Sequence, residues 1–256
     1  MGNFLDVTFL AILQGIAEFL PISSSGHLVI GQHILNVRDA GMQLDVFLHV
    51  GTLLSVAVYY RRSLWRILAE RDFGYMGRIL ISALPAVTVY ALFHDQVDAM
   101  FSNAKMVGAL LMFTGAILAG TRFLPTGKRD VSFVRALWMG VMQAVALLPG
   151  VSRSGMTIAA ARTGRVDPAK SAEFSFLMSA PLILGGMLLE ILKMVRGSDV
   201  AAQDGVGTGL LIWGAVLSSV IGYFSLVVLV KTLKGRGFWL FGPYCIVTGL
   251  LTLVFL

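Results

Sequence analysis

Pro149-Gly150-Val151-Ser152-Arg153-Ser154-Gly155-Met156-Thr157 interrupts hydrophobic sequence, with Leu137 to Leu148 before it and Thr157 to Ala161 after it. Proline and glycine break the helix that the preceding run would form. Two serines, a threonine and an arginine follow within eight residues. A polar break inside apolar sequence is costly in a membrane and marks a functional candidate. A near copy stands at Pro21-Ile22-Ser23-Ser24-Ser25-Gly26-His27. Each copy follows an apolar run carrying one glutamine: Gln14 lies twelve residues before Gly26, and Gln143 twelve before Gly155. The copies are offset by 129 residues, about half of the 256-residue chain. Two unrelated turns are the plain alternative, but the repeated spacing points to a twofold repeat of a membrane fold.

Composition agrees with a membrane protein. The chain is 57% hydrophobic and only 13% charged, with a mean hydropathy of +0.82, too apolar for an ordinary soluble domain. The 28 glycines suit close helix packing in lipid. Cys245 stands alone, which excludes an intrachain disulfide and argues against a thiolate metal site. The net charge of +6 comes from short basic clusters between apolar runs. These read as topology signals, not as a nucleic-acid surface. The first basic residue is Arg38, so the n-region of a signal peptide is missing, and Asp6 occupies the position where myristoylation needs Ser or Thr.

The expected fold is an all-α polytopic membrane protein with six transmembrane spans and two re-entrant helical hairpins in an inverted-topology repeat. The first repeat, 1–127, holds a hairpin over 3–35 and spans over 43–60, 79–93 and 106–121. The second, 128–256, holds a hairpin over 136–161 and spans over 171–192, 207–230 and 238–256. The two form a single integrated membrane domain. Pro21 is expected to end the first helix, and 27–35 is too short to cross a bilayer core, which takes about 20 residues. Loops 61–78, 122–135 and 231–236 each carry +3, and 162–170 carries +2. The loop around Asp95, Asp98 and Lys105 carries −1, and Lys193, Arg196, Asp199 and Asp204 cancel. The positive-inside rule then places every basic loop in the cytoplasm and both termini outside. The two hairpins enter from opposite faces, so their polar turns are expected to meet at mid-membrane. Phe47 aligns with Phe176 at the same offset, and Thr114-Gly115 matches Thr248-Gly249 after a small insertion.

At that meeting point the pooled inventory is Gln14, Glu18, Ser23, Ser24, Ser25 and His27 with Ser152, Arg153, Ser154 and Thr157. Gln14 and Glu18 are four apart and share one helical face. The arginine fork fits phosphate oxygens, and hydroxyls with helix-start N–H groups add an anion cradle. His27 or Glu18 could deprotonate a serine or a water. Gln14 and Glu18 can supply oxygen ligands to Mg²⁺ or Ca²⁺. This composition asks for a phosphate or diphosphate. The plainer roles are an interhelical hydrogen bond for Gln14, a helix cap for His27, and backbone satisfaction for the serines. Asp45, His49 and Glu173 lie near span ends and read as interface solvation or structural pairing.

The two motifs resemble those of the bacterial undecaprenyl-diphosphatase family, linked to bacitracin resistance. That family shows Glu or Gln, three residues, Glu, then Phe-Leu-Pro and a serine-rich turn ending Gly-His; this chain reads Gln14-Gly15-Ile16-Ala17-Glu18-Phe19-Leu20-Pro21-Ile22-Ser23-Ser24-Ser25-Gly26-His27. The second motif, Pro-Gly-x-Ser-Arg-Ser-x-x-Thr, matches Pro149 to Thr157 throughout. The resemblance covers essentially the whole chain, including Glu173-Phe174-Ser175-Phe176-Leu177. Position 14 departs as Gln where many members have Glu, and Cys245 stands where the family leads us to expect Arg. The resemblance implies hydrolysis of undecaprenyl diphosphate to the monophosphate and phosphate, recycling the cell-wall lipid carrier in the bacterial cytoplasmic membrane, with a divalent cation. It implies Arg153 on the diphosphate with Ser23, Ser152, Ser154 and Thr157, and Glu18 on the cation or as base with Gln14 beside it. Ser24 is the expected nucleophile, with His27 to orient it or protonate the leaving group; water activated on the cation is the alternative. A lipid-phosphate transporter or flippase would use the same halves. A homodimer is left open.

Overall fold

Long unbroken apolar runs without strand alternation form helices, and every named element among the described residues is helical. The computed structural model describes residues 4–34, 41–195 and 206–256. Arg196, Asp199 and Asp204, used in the charge map, and Arg38, the first basic residue, lie outside the described residues. The first half contributes α1 (Phe4–Ala17), α2 (Ser24–Ile34), α3 (Gly41–Tyr59), α4 (Arg61–Ala69), α5 (Phe73–Met100) and α6 (Ala104–Gly120). The second half contributes α7 (Phe133–Val145), α8 (Arg153–Thr163), α9 (Pro168–Val195), α10 (Thr208–Lys234) and α11 (Phe241–Phe255). The protein is all-α and multi-pass: among the described residues five helices are long and apolar enough to cross a membrane, and a sixth span forms if α3 and α4, bent by 71°, count together.

Three boundaries differ from expectation. The first helix ends at Ala17, short of Pro21. Leu20 precedes the proline and is pushed out of helical geometry, so Glu18 to Ile22 form a turn. The charged stretch 61–78 is largely helical: α4 carries Arg61, Arg62 and Arg66, and α5 begins at Phe73. α5 runs 28 residues, not the fifteen of 79–93, carries Pro85 inside it and breaks at Phe93 (φ −132°, ψ 20°). Polar residues at both its ends hid that length.

Helices from the two halves interleave. α10 packs on α1 and α3, α5 packs on α7 and α9, and α6 lies along α11. The last pair approaches through glycines: a Cβ on Gly249 would sit 2.4 Å from the Gly108 carbonyl oxygen, and one on Gly242 2.7 Å from that of Gly115. Only residues without a side chain permit such backbone contact in lipid. Near the two turns, Phe19 and Phe176 from opposite halves meet edge to face at 5.4 Å.

The basic segments gather at one end. Arg78 donates to the Val131 carbonyl (2.8 Å). Arg129 and Val166 form an isolated bridge, and Arg135 donates to the Gly164 carbonyl (3.0 Å). Arg122 lies over the Trp239 ring at 4.7 Å. Lys170 pairs with Asp130 and holds its carboxyl below the usual value, a surface contact of little energetic weight. The α7–α8 hairpin opens at this basic end. The α1 start instead meets the start of α10: Phe4 stacks on Trp213 at 5.7 Å, and Trp213 donates to the Thr8 hydroxyl (3.0 Å).

Candidate active site

α1 has 14 residues and α7 has 13. At 1.5 Å per residue each rises only about 20 Å, short of a bilayer core of about 30 Å. Each therefore ends in a polar turn inside the molecule. The turns touch: a Cβ on Gly26 would lie 3.1 Å from the Gly150 Cα, and one on Gly155 3.4 Å from the Pro21 Cβ. Gly150 itself has φ +92°, which suits glycine. A Cβ there would also fall 2.4 Å from the Val107 carbonyl oxygen.

Glu18 is the hub. Its Oε1 pairs with the Arg153 guanidinium, 135 residues away in sequence. Its Oε2 accepts from the Ser24 hydroxyl (2.6 Å) and from Gln14 Nε2 (3.2 Å). The backbone N–H of Glu18 still donates to the Gln14 carbonyl (2.9 Å), which keeps the two side chains together past the helix end. The Glu18 side chain is only 4% exposed, whereas that of Arg153 is 26% exposed, so the pair is reached from the arginine side. A buried carboxylate needs such a partner, because an unpaired charge at this depth costs several kcal/mol.

The hydroxyls divide into two groups. Ser24 and Ser25 are half-buried. Ser23, Ser152, Ser154 and Thr157 are buried and already engaged. Ser23 Oγ accepts from Gly26 N (3.2 Å), and Ser152 Oγ accepts from Gly155 N (3.1 Å). Ser154 Oγ donates to the Leu20 carbonyl (3.4 Å). Thr157 bonds the Arg153 carbonyl (2.8 Å) and the Ser175 hydroxyl (2.6 Å). These four hydroxyls shape the turns and brace the start of α8. His27 meets Ser24 only through the backbone of the turn. Its Nδ1 lies 2.9 Å from the Ser23 carbonyl and its Nε2 2.9 Å from the Tyr244 hydroxyl. Neither nitrogen is on Ser24, whose partner is Glu18.

Three further residues reach the site: His49, read above as interface solvation or structural pairing, Thr114, noted above only for the repeat, and Tyr244. His49 Nε2 lies 3.8 Å from Glu18 Oε2, and its Nδ1 donates to the Asp45 carbonyl (2.8 Å). Thr114 donates to the Gly150 carbonyl (3.0 Å) and accepts from Ser152 N (3.1 Å). Tyr244 meets His27. No local signal marks them, since each contact joins elements far apart in sequence. Glu173, read as structural pairing, lies 3.7 Å from Arg66. Among the described residues no three His, Cys, Asp or Glu side chains cluster as metal ligands. Gln14 Oε1, however, is buried without a hydrogen-bond partner beside the Glu18 carboxylate. These oxygens could join the ligands of Mg²⁺, which is bound through one or two carboxylates and completes its shell from substrate phosphates and water.

A family model described as bacitracin resistance protein BacA matches residues 7–251. An undecaprenyl-diphosphatase of Desulfosudis oleivorans is 37% identical over 267 residues, covering 95% of both chains. One of Desulforapulum autotrophicum is 35% identical, covering 96% of this chain and 95% of that one. Undecaprenyl-diphosphatase 3 of Bacillus cereus is 32% identical, covering 98% and 97% respectively.

Proposed function

The chain belongs to the bacitracin resistance protein BacA family, and from that membership and the geometry above we propose how it hydrolyses undecaprenyl diphosphate to undecaprenyl phosphate and inorganic phosphate. The observation that carries the site is the convergence of Glu18, Ser24 and Arg153 from two separate turns. Arg153 turns from Glu18 to the diphosphate, where its fork of N–H donors takes up the negative charge. Ser24 Oγ attacks the terminal phosphorus and passes its proton to Glu18 Oε2. The bond from that phosphorus to the bridging oxygen breaks, and its electrons leave with the lipid monophosphate, which takes the proton from Glu18. Water, deprotonated by Glu18, then displaces phosphate from Ser24, and the serine oxygen recovers the proton. Gln14 Oε1 and Glu18 would hold a divalent cation, Mg²⁺ or Ca²⁺, which would offset diphosphate charge. Purified protein in detergent is expected to release phosphate from undecaprenyl diphosphate and to stop in excess chelator. Undiminished release in chelator removes the cation. Absence of release under every condition removes the enzyme and leaves the transporter reading.

The arrangement also supports six spans and two re-entrant hairpins in inverted repeats, 1–127 and 128–256. The hairpins open at opposite ends of the molecule and touch at their tips. Interleaved helices make the halves one membrane domain. The positive-inside rule puts the end that collects Arg78, Arg122, Arg129 and Arg135 on the cytoplasmic side of the bacterial inner membrane. The activity returns the lipid carrier to cell-wall synthesis and lowers sensitivity to bacitracin. Arg62 lies on α4, before α5, and Asp98 lies in the last turn of α5, so the 28-residue α5 separates them. In intact cells a membrane-impermeant thiol reagent is expected to label Asp98→Cys and to spare Arg62→Cys. Labelling of position 62 from outside inverts the map.

A further inference from the structure

The turn that carries Ser24 is held at both ends by neighbouring residues of the last helix. Tyr244 and Cys245 lie on α11, which begins at Phe241. The Tyr244 ring stacks on His27 at 5.7 Å and 9°, with its hydroxyl 2.9 Å from Nε2. Cys245 Sγ, fully buried, lies 3.6 Å from the Pro21 carbonyl oxygen at the other end of the turn.

The direction of the first contact follows from the carbonyl. Ser23 O can only accept, so His27 Nδ1 carries the hydrogen. In the neutral ring Nε2 is then an acceptor, and the Tyr244 hydroxyl is the donor. The same Ser23 carbonyl also accepts from the His27 backbone N–H (3.1 Å). Ser23 needs this hold, because its φ of +70° is unfavourable for a residue with a Cβ. The peptide so fixed is the one that leads into Ser24. α11 is in turn locked to α6 at Gly108–Gly249 and Gly115–Gly242, and α6 holds the second turn through Thr114. One helix pair therefore registers both turns against each other.

We propose that Tyr244 is a positioning residue for hydrolysis: by holding His27, and through it the Ser23–Ser24 peptide, it keeps the Ser24 hydroxyl on Glu18 and in line with the terminal phosphate. The inference rests on the reading of Ser24 and Glu18 given above and adds a residue to it. Tyr244→Phe retains the stacked ring and removes only the donor. Purified in detergent, this variant is expected to keep the wild-type melting midpoint and KM while kcat falls about tenfold, the effect of one hydrogen bond on the barrier. A structural role alone lowers the melting midpoint and the fraction of active protein, leaving kcat per folded molecule unchanged. Wild-type kcat in Tyr244→Phe, or a kcat loss that disappears once corrected for folded protein, overturns the proposal. Ser24→Ala and His27→Gln, assayed in parallel, separate the two levels. If both lose turnover while Tyr244→Phe does not, the proposal fails and the site stands. If both retain wild-type turnover, the site itself is misplaced and the Tyr244 proposal falls with it.

Discussion

Arg153→Lys is expected to leave the protein folded and inserted while lowering kcat/KM by about two to three orders of magnitude, the usual effect of removing a preorganised donor from a developing charge. Two facts separate this substitution from a generic loss of charge. Arg153 is the guanidinium that faces Glu18, whose side chain is 4% exposed. A lysine still neutralises that carboxylate, so the penalty for a buried unpaired charge, about 3–5 kcal/mol, is avoided and the fold survives. What is lost is the planar fork, which lets one residue hold a phosphate through two parallel N–H bonds. A lysine presents a point charge and leaves the terminal phosphate free to rotate away from Ser24. Phosphate release from undecaprenyl diphosphate, measured beside the melting midpoint of the same preparation, checks it. Activity within about tenfold of wild type shows that charge alone suffices at this position and removes the bidentate role.

The residues of this site were legible in unequal degree. Gln14 and Glu18 are paired by helical spacing, and the helix ends late enough for the bond between them to persist. The meeting of Glu18 with Arg153 joins two turns that touch, each following a helix too short to cross a bilayer core. Hydropathy and the repeated motif pointed to both turns. They did not distinguish the hydroxyl on Glu18 from those that hold a turn. Ser23, Ser152 and Thr157 look alike in sequence to Ser24, and burial and hydrogen-bond partner separate them. His49, Thr114 and Tyr244 left no trace in periodicity, because each reaches the site from a helix packed against the turns in three dimensions. α5 was truncated in the sequence reading because a hydropathy window stops at charges, whereas a helix continues through them into the membrane interface. Position 245 carried a different lesson. The cysteine that replaces the expected arginine is fully buried against the first turn, so the substitution alters packing around the site as well as charge.

Ser24→Ala is expected to lower kcat by at least about three orders of magnitude with little change in KM, the pattern of a group used in the transition state and not in ground-state binding. The case rests on what Ser24 has that the other hydroxyls lack. It is half-buried, as Ser25 is, but it alone among the described hydroxyls of the two turns donates to Glu18 Oε2, at 2.6 Å, within range for direct proton transfer. Glu18 is in turn oriented by Gln14, so nucleophile, base and orienting group stand in line. Removing the hydroxyl leaves Arg153 to bind the diphosphate, which is why KM is spared. The competing mechanism uses the same base: Glu18 activates a water, and Ser24 merely holds the carboxylate in place. In that mechanism Ser24→Ala loses about one hydrogen bond, no more than roughly tenfold in rate, and no covalent species forms. Rapid acid quench of the wild-type enzyme during turnover, followed by mass analysis of the peptide containing residue 24, separates the two. A phosphoserine there, absent from Ser24→Ala, establishes covalent catalysis. A variant that retains a tenth of wild-type turnover without it places the attack on water, with Glu18 as its base.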